Sequence, residues 1–165
     1  ENVLNGREGV SIANYNCPGQ IVITGEAAAV AEAGTALKEA GARRVLPLKV
    51  SGPFHSPMMR PAGEELAKVF ARVSMNPLKI PYVANINAEV ITDCGRIEGL
   101  LVEQVSGSVR WQQSVETMIR EGVDTFIEIG PGKTLTGFLR KIDKNVKSYH
   151  IGSWEEAVQV CEELK

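Results

Sequence analysis

Apolar and polar positions change period several times along the chain, and each change marks an element. Val10-Ser11-Ile12-Ala13-Asn14-Tyr15-Asn16 alternates loosely, Cys17-Pro18-Gly19 interrupts it, and Gln20-Ile21-Val22-Ile23-Thr24-Gly25 resumes, which predicts a β-hairpin. Over Glu26 to Ala40 the residues Val30, Ala33, Leu37 and Ala40 recur at helical spacing, and Gly41 follows as a stop. Arg43 to Val50 then reads as an extended apolar strand. The order β-β-α-β across 10–50 predicts a ferredoxin-like small subdomain, with its helix on one face of the sheet.

A different grammar governs 51–165. Ser51-Gly52-Pro53 breaks the strand, and Ser56-Pro57 has the residue types of a helix cap and first helical position. Leu66, Val69 and Phe70 form an apolar stripe in a helix over 62–73, and Asn76-Pro77 ends it. Ile80 to Asn85 and Glu89 to Thr92 read as short strands. Helices follow over 97–105, carrying Leu100, Leu101 and Gln104, and over 109–121, with Trp111, Val115, Met118 and Ile119 inward. Strands at 123–129 and 146–151 alternate with helices at 134–142 and 154–164, the second capped by Ser153. Helix, strand, glycine turn, helix is the pattern of an α/β layer. The fold class is therefore mixed α/β, with few strands for the number of helices in 51–165. A sheet short of strands leaves an unpaired edge, so self-association of the chain is expected.

Composition narrows the classes. The chain has 165 residues, 44% hydrophobic and 23% charged, as in ordinary globular domains. A net charge of -2 gives no basic field and argues against a nucleic-acid partner. Cys17, Cys94 and Cys161 are odd in number and form no C-x-x-C pair, so neither a disulfide framework nor a zinc site is suggested and a reducing cytoplasm fits. No apolar run approaches the roughly 18 residues of a membrane span. The polar start Glu1-Asn2-Val3-Leu4 lacks an initiator methionine, and a piece of a longer protein is expected.

His55 is the first candidate for chemistry. It stands between a strand end and a helix start, where the positive end of a helix would favour the neutral imidazole that can accept a proton. His150, in mid-strand, reads as structural. Gly130-Pro131-Gly132-Lys133-Thr134 invites a phosphate-loop reading, but that loop needs a glycine at 127, where Ile127 stands. No G-x-S-x-G nucleophile elbow occurs in these residues. Arg43-Arg44 is a small basic pair. From the pattern alone, a non-catalytic α/β binding module and an enzyme segment both stay open.

Four stretches together narrow that choice. Asn14-Tyr15-Asn16-Cys17-Pro18-Gly19-Gln20-Ile21-Val22-Ile23-Thr24-Gly25, Leu46-Pro47-Leu48-Lys49-Val50-Ser51-Gly52-Pro53-Phe54-His55-Ser56, Val83-Ala84-Asn85-Ile86-Asn87-Ala88 and Glu128-Ile129-Gly130-Pro131-Gly132-Lys133-Thr134-Leu135 resemble, in order and spacing, the malonyl-CoA:acyl carrier protein transacylases of fatty-acid synthesis. The resemblance implies an α/β-hydrolase-like large subdomain, here its carboxy-terminal part over 51–165, beside the ferredoxin-like small one. It implies ping-pong transfer of malonyl from coenzyme A through a serine ester to the phosphopantetheine thiol of acyl carrier protein, with the coenzyme A thioester as substrate and no further cofactor or metal.

Residue by residue, the resemblance makes His55 the base and Gln104 the residue whose backbone carbonyl orients it. Phe54 becomes the bulky neighbour that disfavours an α-methyl branch, and Asn85 a pocket residue. Arg43 and Arg44 are candidate contacts for an acidic carrier protein. The family's serine elbow, its malonyl-binding arginine and its oxyanion-hole glutamine have no counterpart in these residues, so the chain alone is expected to be inactive. A polyketide acyltransferase is the neighbouring alternative.

Overall fold

In the computed structural model, which describes residues 2–165, the first alternating runs pair as an antiparallel hairpin of β1 (Val10–Cys17) and β2 (Gln20–Gly25). Gly19 turns it in a left-handed conformation, φ 77°. Gly25 closes against the start of the same hairpin: a Cβ there would lie 2.0 Å from the Gly9 carbonyl oxygen, which accepts the Glu26 N–H at 2.8 Å. Helix α1 (Ala27–Glu39) follows, burying Ala33 and Gly34.

The strand expected over 43–50 does not form. The segment has no ladder partner among the described residues, and Leu46, Leu48 and Val50 are 70%, 61% and 66% exposed. Pro47 has no N–H to give a ladder, and an extended run acquires regular hydrogen bonds only from a neighbour. Val45 alone is seated, its Cγ1 resting where Gly34 of α1 lacks a side chain. Of the β-β-α-β order expected over 10–50, the described residues hold the hairpin and the helix without the third strand.

Beyond His55 a 3-10 turn at Pro57–Met59 leads into α2 (Arg60–Phe70). The apolar stripe expected on this helix is only partly used, since Val69 is exposed and the buried residue is Gly63. A Cβ on Gly63 would lie 3.1 Å from the Val102 carbonyl oxygen, so α2 lies tight against α3 (Ile97–Ser106) because position 63 is bare. Between them β3 (Tyr82–Val83) and β4 (Val90–Ile91) pair antiparallel. They help to form the core of Ala84, Ile91 and Leu100, with Leu78, Tyr82 and Ile86 packed around it.

Helix α4 (Trp111–Arg120) buries Ser114, Val115 and Thr117. The α/β grammar expected for the last third is present: β5 (Thr125–Ile129) and β6 (Lys147–Ile151) run parallel in register, joined through α5 (Thr134–Ile142). The closing helix is α6 (Trp154–Glu163), capped by Ser153, whose hydroxyl accepts the Glu156 N–H. No helix among the described residues is long and apolar enough to cross a membrane.

Candidate active site at the His55 turn

The site is built by bringing the end of one helix to the start of another. Gln104 lies in the last turn of α3, where backbone carbonyls run out of partners along the helix axis. The Gln104 carbonyl instead accepts a hydrogen bond from His55 Nδ1 at 3.0 Å. A carbonyl can only accept, so Nδ1 carries a proton, and in the neutral ring Nε2 is then the nitrogen with the free lone pair. The His55 ring is partly buried. Its setting differs from the sequence expectation: the ring meets a carbonyl in the last turn of α3, while α2 begins only at Arg60.

His55 itself is held in a left-handed backbone conformation, φ 59°. For a residue with a Cβ this costs about 1 kcal/mol or more, and it persists only where the surroundings enforce it. The enforcement is visible in the next residue. Ser56, 1% exposed, makes no helix cap, contrary to the sequence expectation; its hydroxyl donates back to the Pro53 carbonyl at 2.6 Å, across His55. Ser-Pro at a helix start has the residue types of a cap, so the sequence pattern gives no sign of this bond.

Three of the four sequence stretches converge on the Gln104 end of α3. The Gln104 side chain donates from Nε2 to the Gly107 carbonyl at 2.9 Å, closing the turn after the helix. The next residues are stitched to β1: Ser108 Oγ donates to the Ile12 carbonyl at 2.6 Å, the Val109 N–H to Ala13 at 2.7 Å, and Tyr15 N–H to the Val109 carbonyl at 2.9 Å. The Arg110 N–H donates to the Asn85 carbonyl at 2.8 Å. The hairpin stretch, the Asn85 loop and the His55 turn therefore fix one another through α3. Arg110 acts through its backbone N–H, which leaves no residue-type signature, and Ser108, whose residue type suggests a helix start, instead reaches with its hydroxyl across 96 residues to β1.

Of the other candidates, Phe54, Arg43 and Arg44 are more open. Phe54 is 48% exposed, its ring beside Gly52. Asn85 is partly buried, and Arg43 and Arg44 lie exposed on the unpaired segment.

The fourth stretch forms a separate network. Glu128 on β5 accepts the Leu135 N–H at 3.0 Å, the Thr136 N–H at 2.7 Å and the Thr136 hydroxyl at 2.7 Å. Burial pushes its carboxyl up, but these hydrogen bonds from Thr136 and Leu135, aided by nearby His150, hold it below the ordinary 4.5. The N–H groups that a phosphate would need at the start of α5 are thus occupied by the protein's own carboxylate, which disposes of the phosphate-loop reading on geometry as well as spacing. His150 is structural as expected: Nε2 donates to the Gly130 carbonyl at 2.9 Å, and Nδ1 lies 3.4 Å from Glu156 Oε2. The Gly152 N–H holds the Glu156 carboxyl low in turn.

An acyl transferase domain family matches residues 1–161. The malonyl CoA-acyl carrier protein transacylase of Bacillus subtilis is 43% identical over 156 residues, covering 94% of this chain and 49% of that protein. A crystal structure of MCAT from Streptococcus pneumoniae superposes with a TM-score of 0.89 at 45% identity, over 93% of this chain and 50% of that one. A malonyl-transacylase in complex with its type II PKS acyl-carrier protein superposes with a TM-score of 0.91 at 37% identity, over 98% and 52%. The chain spans about half the length of the relatives it matches.

Proposed function

The chain belongs to the acyl transferase domain family, and from that premise we propose that it is the histidine-bearing part of a malonyl-CoA:acyl carrier protein transacylase. The observation that carries this reading is the His55 Nδ1 to Gln104 carbonyl bond of 3.0 Å, which leaves Nε2 as a ready base. In the proposed reaction a serine, supplied by sequence outside these 165 residues, gives its proton to Nε2 while its oxygen attacks the malonyl thioester carbonyl. The C–S bond breaks, and the coenzyme A sulfur leaves with the proton from Nε2. The carrier protein's phosphopantetheine thiol then gives its proton to Nε2 and attacks the ester, and serine recovers its proton as the malonyl thioester forms.

A neutral carbonyl suits the orienting role. An aspartate there would set a second negative charge near the malonyl carboxylate, whereas the end of α3 offers only partial charge to the imidazolium. Phe54 beside the base crowds out an α-branched acyl group, and Asn85 lines the same pocket. Arg43 and Arg44 meet the acidic carrier protein in the cytoplasm. Coenzyme A thioester is the substrate, and the reading requires no resident cofactor. A second reading differs only in the acceptor: the relative bound to a type II PKS acyl-carrier protein favours a polyketide carrier.

The test is intact mass of the protein expressed from its natural reading frame after brief exposure to malonyl-CoA. A malonyl adduct that forms quickly, and much more slowly with His55→Ala, supports the assignment. An adduct that forms at the same rate in both removes His55 from the reaction.

A further inference from the structure

We propose that Ser56 is a positioning residue for the base, acting through the backbone of the turn rather than by touching substrate. This rests on the reading of His55 as base. The left-handed φ of 59° at His55 is a conformation the residue does not choose for itself. Ser56 clamps both sides of it: its hydroxyl donates to the Pro53 carbonyl at 2.6 Å, and its own carbonyl accepts the Met59 N–H at 2.9 Å. With 1% exposure the hydroxyl cannot exchange its bond for one to water. His55 is thus suspended between a turn closed upstream by a side chain and a 3-10 turn closed downstream by backbone. Of the two closures, only the first depends on residue type.

The consequence reaches the reacting nitrogen. The imidazole is aimed by one bond, Nδ1–H to the Gln104 carbonyl, which lies 49 residues away on α3. If the turn relaxes toward ordinary backbone angles, Cα and Cβ of His55 swing. Nδ1 then loses the carbonyl, and the ring is free to place its proton on either nitrogen. The tautomer with the proton on Nε2 cannot accept a proton there. The Ser56 hydroxyl therefore sets the fraction of protein with a competent base, although its hydrogen bond goes to Pro53 and not to the imidazole.

The experiment compares native protein, Ser56→Ala and His55→Ala, all expressed from the natural reading frame, by the rate of malonyl adduct formation and by 15N shifts of the His55 imidazole. Ser56→Ala is expected to slow adduct formation roughly 10- to 100-fold at unchanged half-saturating malonyl-CoA, and to convert a single Nδ1–H tautomer into a mixture. Native rate and native tautomer in Ser56→Ala, with His55→Ala slow, overturn the proposal and leave the function standing. A slow Ser56→Ala that keeps the native tautomer overturns it too, since the loss then arises elsewhere. A native rate in His55→Ala defeats the reading of function beneath it. Should Ser56→Ala fail to fold, Ser56→Cys, which keeps the volume and a weak S–H donor, carries the same comparison with an intermediate effect expected.

Discussion

Replacing Glu128 tests whether a single carboxylate holds the start of α5. It accepts three hydrogen bonds, from the Leu135 and Thr136 N–H groups and the Thr136 hydroxyl, at 3.0, 2.7 and 2.7 Å. Loss of a side-chain acceptor at a helix start costs about 0.5–2 kcal/mol, and bonds to an ionised acceptor lie toward the upper end. Glu128→Ala should therefore cost about 2 kcal/mol. Glu128→Gln keeps one acceptor oxygen but loses the charge, and should cost about 1 kcal/mol.

The two variants also differ from the native chain in their dependence on pH. The carboxyl is held below the ordinary 4.5 in the folded protein, so its contribution is complete above that value and is lost as pH falls through the lower folded one. Urea unfolding at neutral pH and at successively lower pH reads this directly. The gap between native and Glu128→Gln should be present at neutral pH and close below pH 4.5. Coincident curves at neutral pH would refute the reasoning, as would a gap that stays constant on acidification.

Other perturbations probe the frame around His55. Gly63→Ala sets a Cβ 3.1 Å from the Val102 carbonyl oxygen; helix propensity returns up to about 1 kcal/mol, overpacking costs about 1–3, and a net loss of about 1 kcal/mol is expected in thermal or urea unfolding, a gain in stability being the contrary result. Gln104→Ala keeps the backbone carbonyl and removes only the bond to Gly107, so about 1 kcal/mol of stability should go while adduct formation changes only a few-fold; a collapse in rate would assign the role to the side chain. Arg43→Glu with Arg44→Glu should slow transfer to the carrier protein at low salt and leave reaction with malonyl-CoA intact, and an unchanged salt profile would discard the docking role. The exposed row Leu46, Leu48 and Val50, together with Ile127 and Ile129 on β5, should make the 165-residue chain self-associate in sedimentation at high concentration, where a clean monomer would count against it.

Which features could be read from the sequence follows from where each interaction is encoded. Hairpin, helices and the parallel pair of the last third are written in local periodicity, and Thr134–Ile142 forms over the range its spacing indicates. The segment 43–50 carries the same apolar signal as a strand, yet a strand requires a neighbour, and periodicity names no neighbour. Val69 misleads similarly, because the tightest helix contact is made by a glycine, which an apolar stripe does not count. His55 stood out through its residue type and its Gly-Pro turn. The acceptor that aims it is a backbone carbonyl, and a backbone group at position 104 looks the same whatever side chain it bears, so only resemblance could point there.

The same distinction bears on how the site is built. A protease-like triad orients its histidine with a charged side chain, which one substitution can remove. Here the orienting group belongs to a helix end, which no substitution deletes without moving the helix. The vulnerable points are shifted outward, to residues that set where two backbone segments lie. Gly63 fixes how closely α2 approaches α3, the Gln104 side chain closes the turn at Gly107, and Ser56 holds the turn in which His55 sits. On the proposed reading each of these contacts acts on the 3.0 Å bond from outside it. If His55 is the base proposed above, substitutions here should change the imidazole tautomer before they cause unfolding, and Ser56, next to His55 in the turn, should show it most clearly.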